Sequence, residues 1–338
     1  MSSNTTSTAV LISPAWSTER WLVSGVYVTS STTGIVLYAM FLKIVNKAGF
    51  FRSFKLLILQ LAFIDVAMLL MNPLVYVPMT LTGSYVFGEL PSIMLTSLNT
   101  LWFITLEFST FLIALNRFGV LVIPKFGDWA FEKHLYLTMG TTWVVGVFYM
   151  VTPSMVGCHK VYLYDAYGIT FLCGSLADNT TDAGWWRDFT MKLQGRWIWT
   201  IIAGIVLLYV LVFAHLQFRK KSSTAKITDA EAKRRQKQEI NLLKQGFIIG
   251  ITMAFESTVF WSIFFFQLRS RYIGVFFNTL VVTNSSINPV IYFVYNRKVR
   301  KHVLAMFGID LAEQATTSTT APAVTYTAAS EKRDADEG

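Results

Sequence analysis

The chain has 338 residues, of which 53% are hydrophobic, 15% aromatic and only 14% charged. That balance excludes an ordinary soluble domain and points to a protein solvated largely by lipid. The net charge of +9 is accounted for by basic runs between apolar segments, as membrane topology requires, rather than by nucleic-acid binding.

Polar residues Met1 to Thr8 open the chain without a basic region and a short apolar core. No cleavable signal peptide is expected, and the first crossing serves as the anchor. Roughly 20 apolar residues cross about 30 Å of hydrocarbon. Runs of that length fall near 21–43, 56–80, 92–115, 135–157, 197–218, 245–267 and 273–295, which makes seven crossings. Lys43, Lys47, Arg52 and Lys55 flank the first turn, and Arg117, Lys125 and Lys133 the second. Nine Lys and Arg from Arg219 to Lys244 fill the third, and Arg297, Lys298, Arg300 and Lys301 follow the last crossing. Excess positive charge marks the cytoplasmic side, so the N-terminus is expected outside and the C-terminus inside. Asn4 and Asn179 each begin an Asn-Thr-Thr glycosylation acceptor, and both fall on the outward side.

The only two cysteines, Cys158 and Cys173, lie in the long outer loop between the fourth and fifth crossings. Two readings stand: free thiols, or a disulfide that closes a loop of about 15 residues and contributes about 3 kcal/mol. The segment from Arg219 to Lys244 alternates basic and acidic residues and reads as a solvated extension of the fifth and sixth helices. It is either an inner docking surface or a set of side chains snorkelling to lipid head groups. Beyond the last crossing, Val299, Val303, Leu304 and Phe307 share one face of a short helix whose other face is basic, which suits the inner membrane surface. From Ala312 the composition turns to Thr, Ser, Ala and Pro and supports no packed core. Thr316, Thr317, Ser318, Thr319 and Thr320 are phosphate acceptors or simply solubilising. The expected organisation is an extracellular segment over 1–20, a seven-transmembrane domain over 21–296, a membrane-surface helix over 297–308 and a disordered cytoplasmic tail over 309–338. The fold class is all-α membrane protein, a seven-transmembrane helix bundle with a short amphipathic helix after the seventh crossing.

Polar residues inside the crossings are costly, so each is a functional hypothesis. Asp65 lies mid-way along the second crossing. In the seventh, Asn284, Ser285, Asn288 and Tyr292 follow at helical spacings and share a face. Asn288 and Pro289 together leave a carbonyl unpaired and a polar side chain in hydrocarbon, which is tolerated only toward a bundle interior. Asp65 is expected to meet this face, with water or a small cation between them, or as a purely structural clasp. Arg117 closes the third crossing, where a lone arginine would be an ordinary anchor. Glu107 and Glu256 are acids in apolar runs and, unpartnered, would be protonated.

Seven crossings, an outward N-terminus, Leu61, Ala62 and Asp65, then Asn116, Arg117 and Phe118, Trp143, and Asn288, Pro289 and Tyr292 resemble the rhodopsin-like G-protein-coupled receptors. The resemblance covers about residues 20 to 307. Within that group, Leu115 to Phe118 and the stretch Glu239 to Gln245 are similar to nematode serpentine chemoreceptors of class X. The resemblance implies a chemosensory receptor, not an enzyme, that detects an extracellular small molecule or peptide and activates a heterotrimeric G-protein, with receptor kinase and arrestin as further partners at the tail. It implies residence in the plasma membrane, of sensory cilia in particular. Arg117, with Asn116 before it, would meet the G-protein, supported by Tyr209, Asn288, Pro289 and Tyr292. Asp65, Asn284, Ser285 and Asn288 would form a sodium and water site.

Departures qualify the match: Asn116 stands where an acid usually precedes the arginine, the third crossing lacks its outer cysteine near Ser92, and the sixth has no proline. Cys158 and Cys173 would then close the outer loop on itself. Glu256 and Trp102 are the ligand-contact candidates, and Glu107 belongs to transmission or to the ligand site. The alternative is an ion-coupled transporter or channel using Asp65, Glu107 and Glu256, which the lack of an inverted repeat disfavours. No lysine lies between Phe276 and Tyr295 for a retinal link, and the four histidines show no metal-ligand spacing.

Overall fold

Helices that are apolar all round have no side to turn to water, and here large side chains such as Phe63, Leu74, Leu137, Val144, Phe148, Leu207 and Phe213 point outward from the bundle. The elements are α1 (Thr18–Val45), α2 (Arg52–Met71), α3 (Val77–Thr82), α4 (Glu89–Val122), α5 (Pro124–Gly127), α6 (Leu135–Met155), β1 (Cys158–Leu163), β2 (Gly168–Cys173), α7 (Gly184–Ser222), α8 (Ala230–Phe265), α9 (Arg271–Tyr295) and α10 (Arg297–Met306). The computed structural model describes residues 17–47, 52–155, 157–164, 166–173, 184–222, 230–265 and 271–308. Asn4, Asn179 and Thr316 to Thr320 lie outside them.

α4 is the central post, packed against α2, α6, α7 and α8, while α9 closes the bundle against α1, α2 and α8. α10 folds back along α9 and α1, with Val299 fully buried against Ile44. Five of the long helices, counting α2 and α3 as one, are long and apolar enough on composition to cross a membrane, among the described residues. α9 lies outside that set because of its Asn, Ser and Thr residues, several of which turn inward.

Local chemistry explains the joints. Ser17 caps α1 by accepting from the Arg20 amide. Pro73, without an amide hydrogen, opens a wide π turn over Asn72–Tyr76 that joins α2 to α3 and keeps Asn72, Tyr76 and Thr80 buried. α3 stops at Gly83, whose φ of 64° is left-handed.

The span between α6 and α7, read as a loop, contains an antiparallel hairpin. Its first rung pairs Cys158 with Cys173. Cys158 is disulfide-bonded, and Cys173 is the only other cysteine in the chain. The hairpin sits on the bundle through a glycine contact: a Cβ on Gly168 would lie 2.9 Å from the Gly274 Cα of α9. Cys158→Ser is expected to lower stability by about 3 kcal/mol, the value for a loop of about 15 residues. Thermal denaturation of the purified protein checks this, and an unchanged transition would count against a stabilising loop.

Candidate functional site

Three polar layers stack along the bundle axis. In the middle layer Asp65 of α2 is fully buried and accepts hydrogen bonds from the Tyr38 hydroxyl of α1 and, at 2.8 Å, from the Asn288 amide of α9. The expected face of α9 is therefore split. Asn288 meets Asp65, and Ser285, with its hydroxyl 4.0 Å from the Met68 sulfur, is also within reach of Asp65, but Asn284 donates to Glu256 of α8. Glu107 of α4 accepts from Ser257 of α8 at 2.9 Å. The atoms left without partners here are acceptors: Asp65 Oδ1, Asn284 Oδ1, Asn288 Oδ1, Glu107 Oε2 and Glu256 Oε1. Buried oxygen lone pairs call for protons, water or a cation. Among the described residues no group of three His, Cys, Asp or Glu side chains is arranged to hold a metal ion.

Beside this layer Gln60 donates to Ser109 at 2.9 Å and to Thr142 at 2.8 Å, tying α2, α4 and α6. Neither Gln60 nor Tyr38 was selected from sequence. The available signal was chemical: a glutamine between Leu59 and Leu61, and a phenol on an apolar helix, both of which need a polar partner when buried.

The second layer lies at the basic end. Arg117, in the last turns of α4, is buried with its guanidinium carbon 3.6 Å from the centre of the Phe54 ring. Tyr209 of α7 and Tyr292 of α9, both buried, lie within electrostatic reach of Arg117 and of each other. Tyr292 stacks on Phe41 at 5.1 Å beside a crevice that Pro289 and Asn288 also line. The Tyr209 hydroxyl occupies the place a Cβ on Gly246 would take, so glycine is what lets this ring lie against α8. Asn116 Nδ2, the Tyr209 hydroxyl and both amide atoms of Gln245 are buried and unpaired. Gln245 directly precedes Gly246, the α8 residue against which Tyr209 lies.

The third layer is at the hairpin end. Tyr27 of α1 donates to the Tyr167 carbonyl at 2.6 Å, Asn278 of α9 to Asn72 at 2.6 Å, and Thr80 and Tyr162 share a hydrogen bond. Lys160 of β1 donates to Asn99 at 2.7 Å and to Thr100 at 3.1 Å, both on α4. Burial draws its ammonium down to about 7.

Trp102 packs edge-on to Trp143 at 5.8 Å and to Phe63 at 6.1 Å, between α2, α4 and α6, and also against the hairpin-end cluster that holds Tyr76 and Tyr162. At about 100° per residue it is turned some 140° from Glu107, away from the acids. It is not brought together with Glu256.

A family model described as serpentine-type seven-transmembrane G-protein-coupled chemoreceptor Srx matches residues 28–296. No curated protein matches. Among solved structures, squid rhodopsin superposes with a TM-score of 0.69 at 13% identity, over 86% of each chain, which is a likeness of fold.

Proposed function

From a chain that belongs to the Srx family of serpentine seven-transmembrane chemoreceptors, and so is a membrane receptor of the G-protein-coupled class, we propose the following working arrangement. An extracellular small molecule or peptide is detected at the hairpin end, and a heterotrimeric G-protein is activated at the basic end. The observation that carries this reading is the burial of Arg117 on Phe54 within reach of Tyr209 and Tyr292, which makes one charged group answerable to α2, α4, α7 and α9. A ligand that favours another arrangement of these helices changes what the G-protein meets, in proportion to its differential affinity. The basic runs support a cytoplasmic position for the Arg117 end, and with it an outward N-terminus. Residence in the plasma membrane of sensory cilia, glycans at Asn4 and Asn179, and kinase and arrestin acting at Thr316 to Thr320 belong to the same proposal.

A sodium ion in the middle layer fits the unpaired oxygens of Asp65 and Asn288, with Asn284 shared toward Glu256. Exchange of sodium for N-methylglucamine is then expected to raise agonist-independent nucleotide exchange in the wild type and to leave Asp65→Asn unchanged. Equal basal activity with and without sodium in the wild type discards the ion.

A small-molecule screen on the full chain, read through nucleotide exchange on the Gα subunit, tests the whole reading. Ion flux in vesicles lacking any G-protein, with no nucleotide exchange, would replace it with a transporter.

A further inference from the structure

At the hairpin end, Lys160 is a cation with no carboxylate partner among the described residues. Lys160 lies partly buried between β1 and α4, and its ammonium contacts two neutral oxygens, Asn99 Oδ1 and Thr100 Oγ1, with the Phe171 ring 5.5 Å away. Among the described residues it has no carboxylate partner. An ammonium carries three donors and two are used here. Independently, the buried Tyr76 hydroxyl lies within reach of the Asn99 amide, and its own hydrogen meets no acceptor among the described residues. Tyr76 is the last residue of the π turn, and it stacks on Tyr162 of β1 at 5.8 Å. The backbone is braced on both sides of the lysine: the Lys160 carbonyl accepts from Thr96, and Cys158, two residues away, is disulfide-bonded. A flexible side chain is thus held by rigid supports, with neutral oxygens as its partners among the described residues.

We propose that Lys160, Tyr76 and Asn99 form the recognition point for the acid group of a carboxylate-bearing small molecule. The carboxylate would take the third ammonium hydrogen and the Tyr76 hydroxyl, two donors that no neutral ligand atom satisfies equally well. The depressed ammonium noted above agrees, because an adjacent anion restores the charged form that burial opposes. The reading rests on the hairpin end being the ligand end.

The test measures thermal unfolding of the purified full-length receptor with formate, acetate or benzoate, and with methyl benzoate as the uncharged match. It needs no G-protein, so its failure is distinguishable from a failure of signalling. The carboxylates are expected to raise the wild-type transition and methyl benzoate to leave it in place. Lys160→Met should weaken carboxylate affinity at least about ten-fold, and Tyr76→Phe by a smaller factor. Without ligand, Lys160→Met should melt no lower than the wild type, because it removes a buried charge that lacks an opposite partner. A lower transition for unliganded Lys160→Met marks a structural lysine and overturns the proposal. So does a carboxylate response that is absent in the wild type or undiminished in Lys160→Met.

Discussion

Arg117→Ala is expected to remove agonist-driven nucleotide exchange while the protein still folds and reaches the membrane. The two halves of that expectation have different sizes. The lost contact with the Phe54 ring is worth about 0.5–2 kcal/mol of stability. A buried arginine that anchors a protein–protein contact is worth about 2 kcal/mol or more in binding, roughly thirty-fold in affinity. Arg117→Lys separates charge from shape: a compact ammonium keeps the charge but loses the planar stacking surface, so a response between wild type and alanine is expected. The measurement is exchange on Gα at matched surface density, and an undiminished response from Arg117→Ala would remove the arginine from the coupling role.

The largest stability effect is expected at Asp65. Alanine there strands the Tyr38 hydroxyl and the Asn288 amide, both donors to this carboxylate in the buried bundle interior. At about 1–3 kcal/mol for each stranded group, the loss is about 2–6 kcal/mol. Asparagine keeps an acceptor oxygen of the same shape, so most of that loss should be recovered. Thermal unfolding in detergent resolves the order, wild type above Asp65→Asn above Asp65→Ala. If alanine melts with the wild type, the clasp does not stabilise the bundle.

The crossings were legible because hydrocarbon thickness dictates their length, and each expected run overlaps a long helix. Their ends were less so. α8 begins at Ala230, as the charged segment from Arg219 to Lys244 leads one to expect, but α7 starts at Gly184, well ahead of its apolar run at 197–218, since a helix needs no lipid once formed and polar residues continue it in water. Residues 158–173 read as loop because six-residue strands carry too few alternations to stand out, and the two cysteines do not encode the rung they share. Depth along a helix is legible and rotation about its axis is not. That is why Asp65 was matched to Asn288 correctly, while the pairing of Asn284 with Glu256 emerged only once α8 was placed. Lys160 does not stand out in the sequence, because nothing in its neighbours announces the α4 oxygens that hold it.

α9 is keyed to its neighbours at three heights: Asn278 to Asn72, Asn284 to Glu256, and Asn288 to Asp65. Apolar helices in lipid gain little from one rotational setting over another. These asparagines act as dowels, choosing one angle and one height for the helix. A quarter-turn or a one-residue slide would pull all three at once. Any second resting position of α9 must therefore offer three new sockets rather than merely loosen the old ones. Asp65 Oδ1, Glu107 Oε2 and Glu256 Oε1, unpaired oxygens on the neighbouring helices, are where such sockets are already cut.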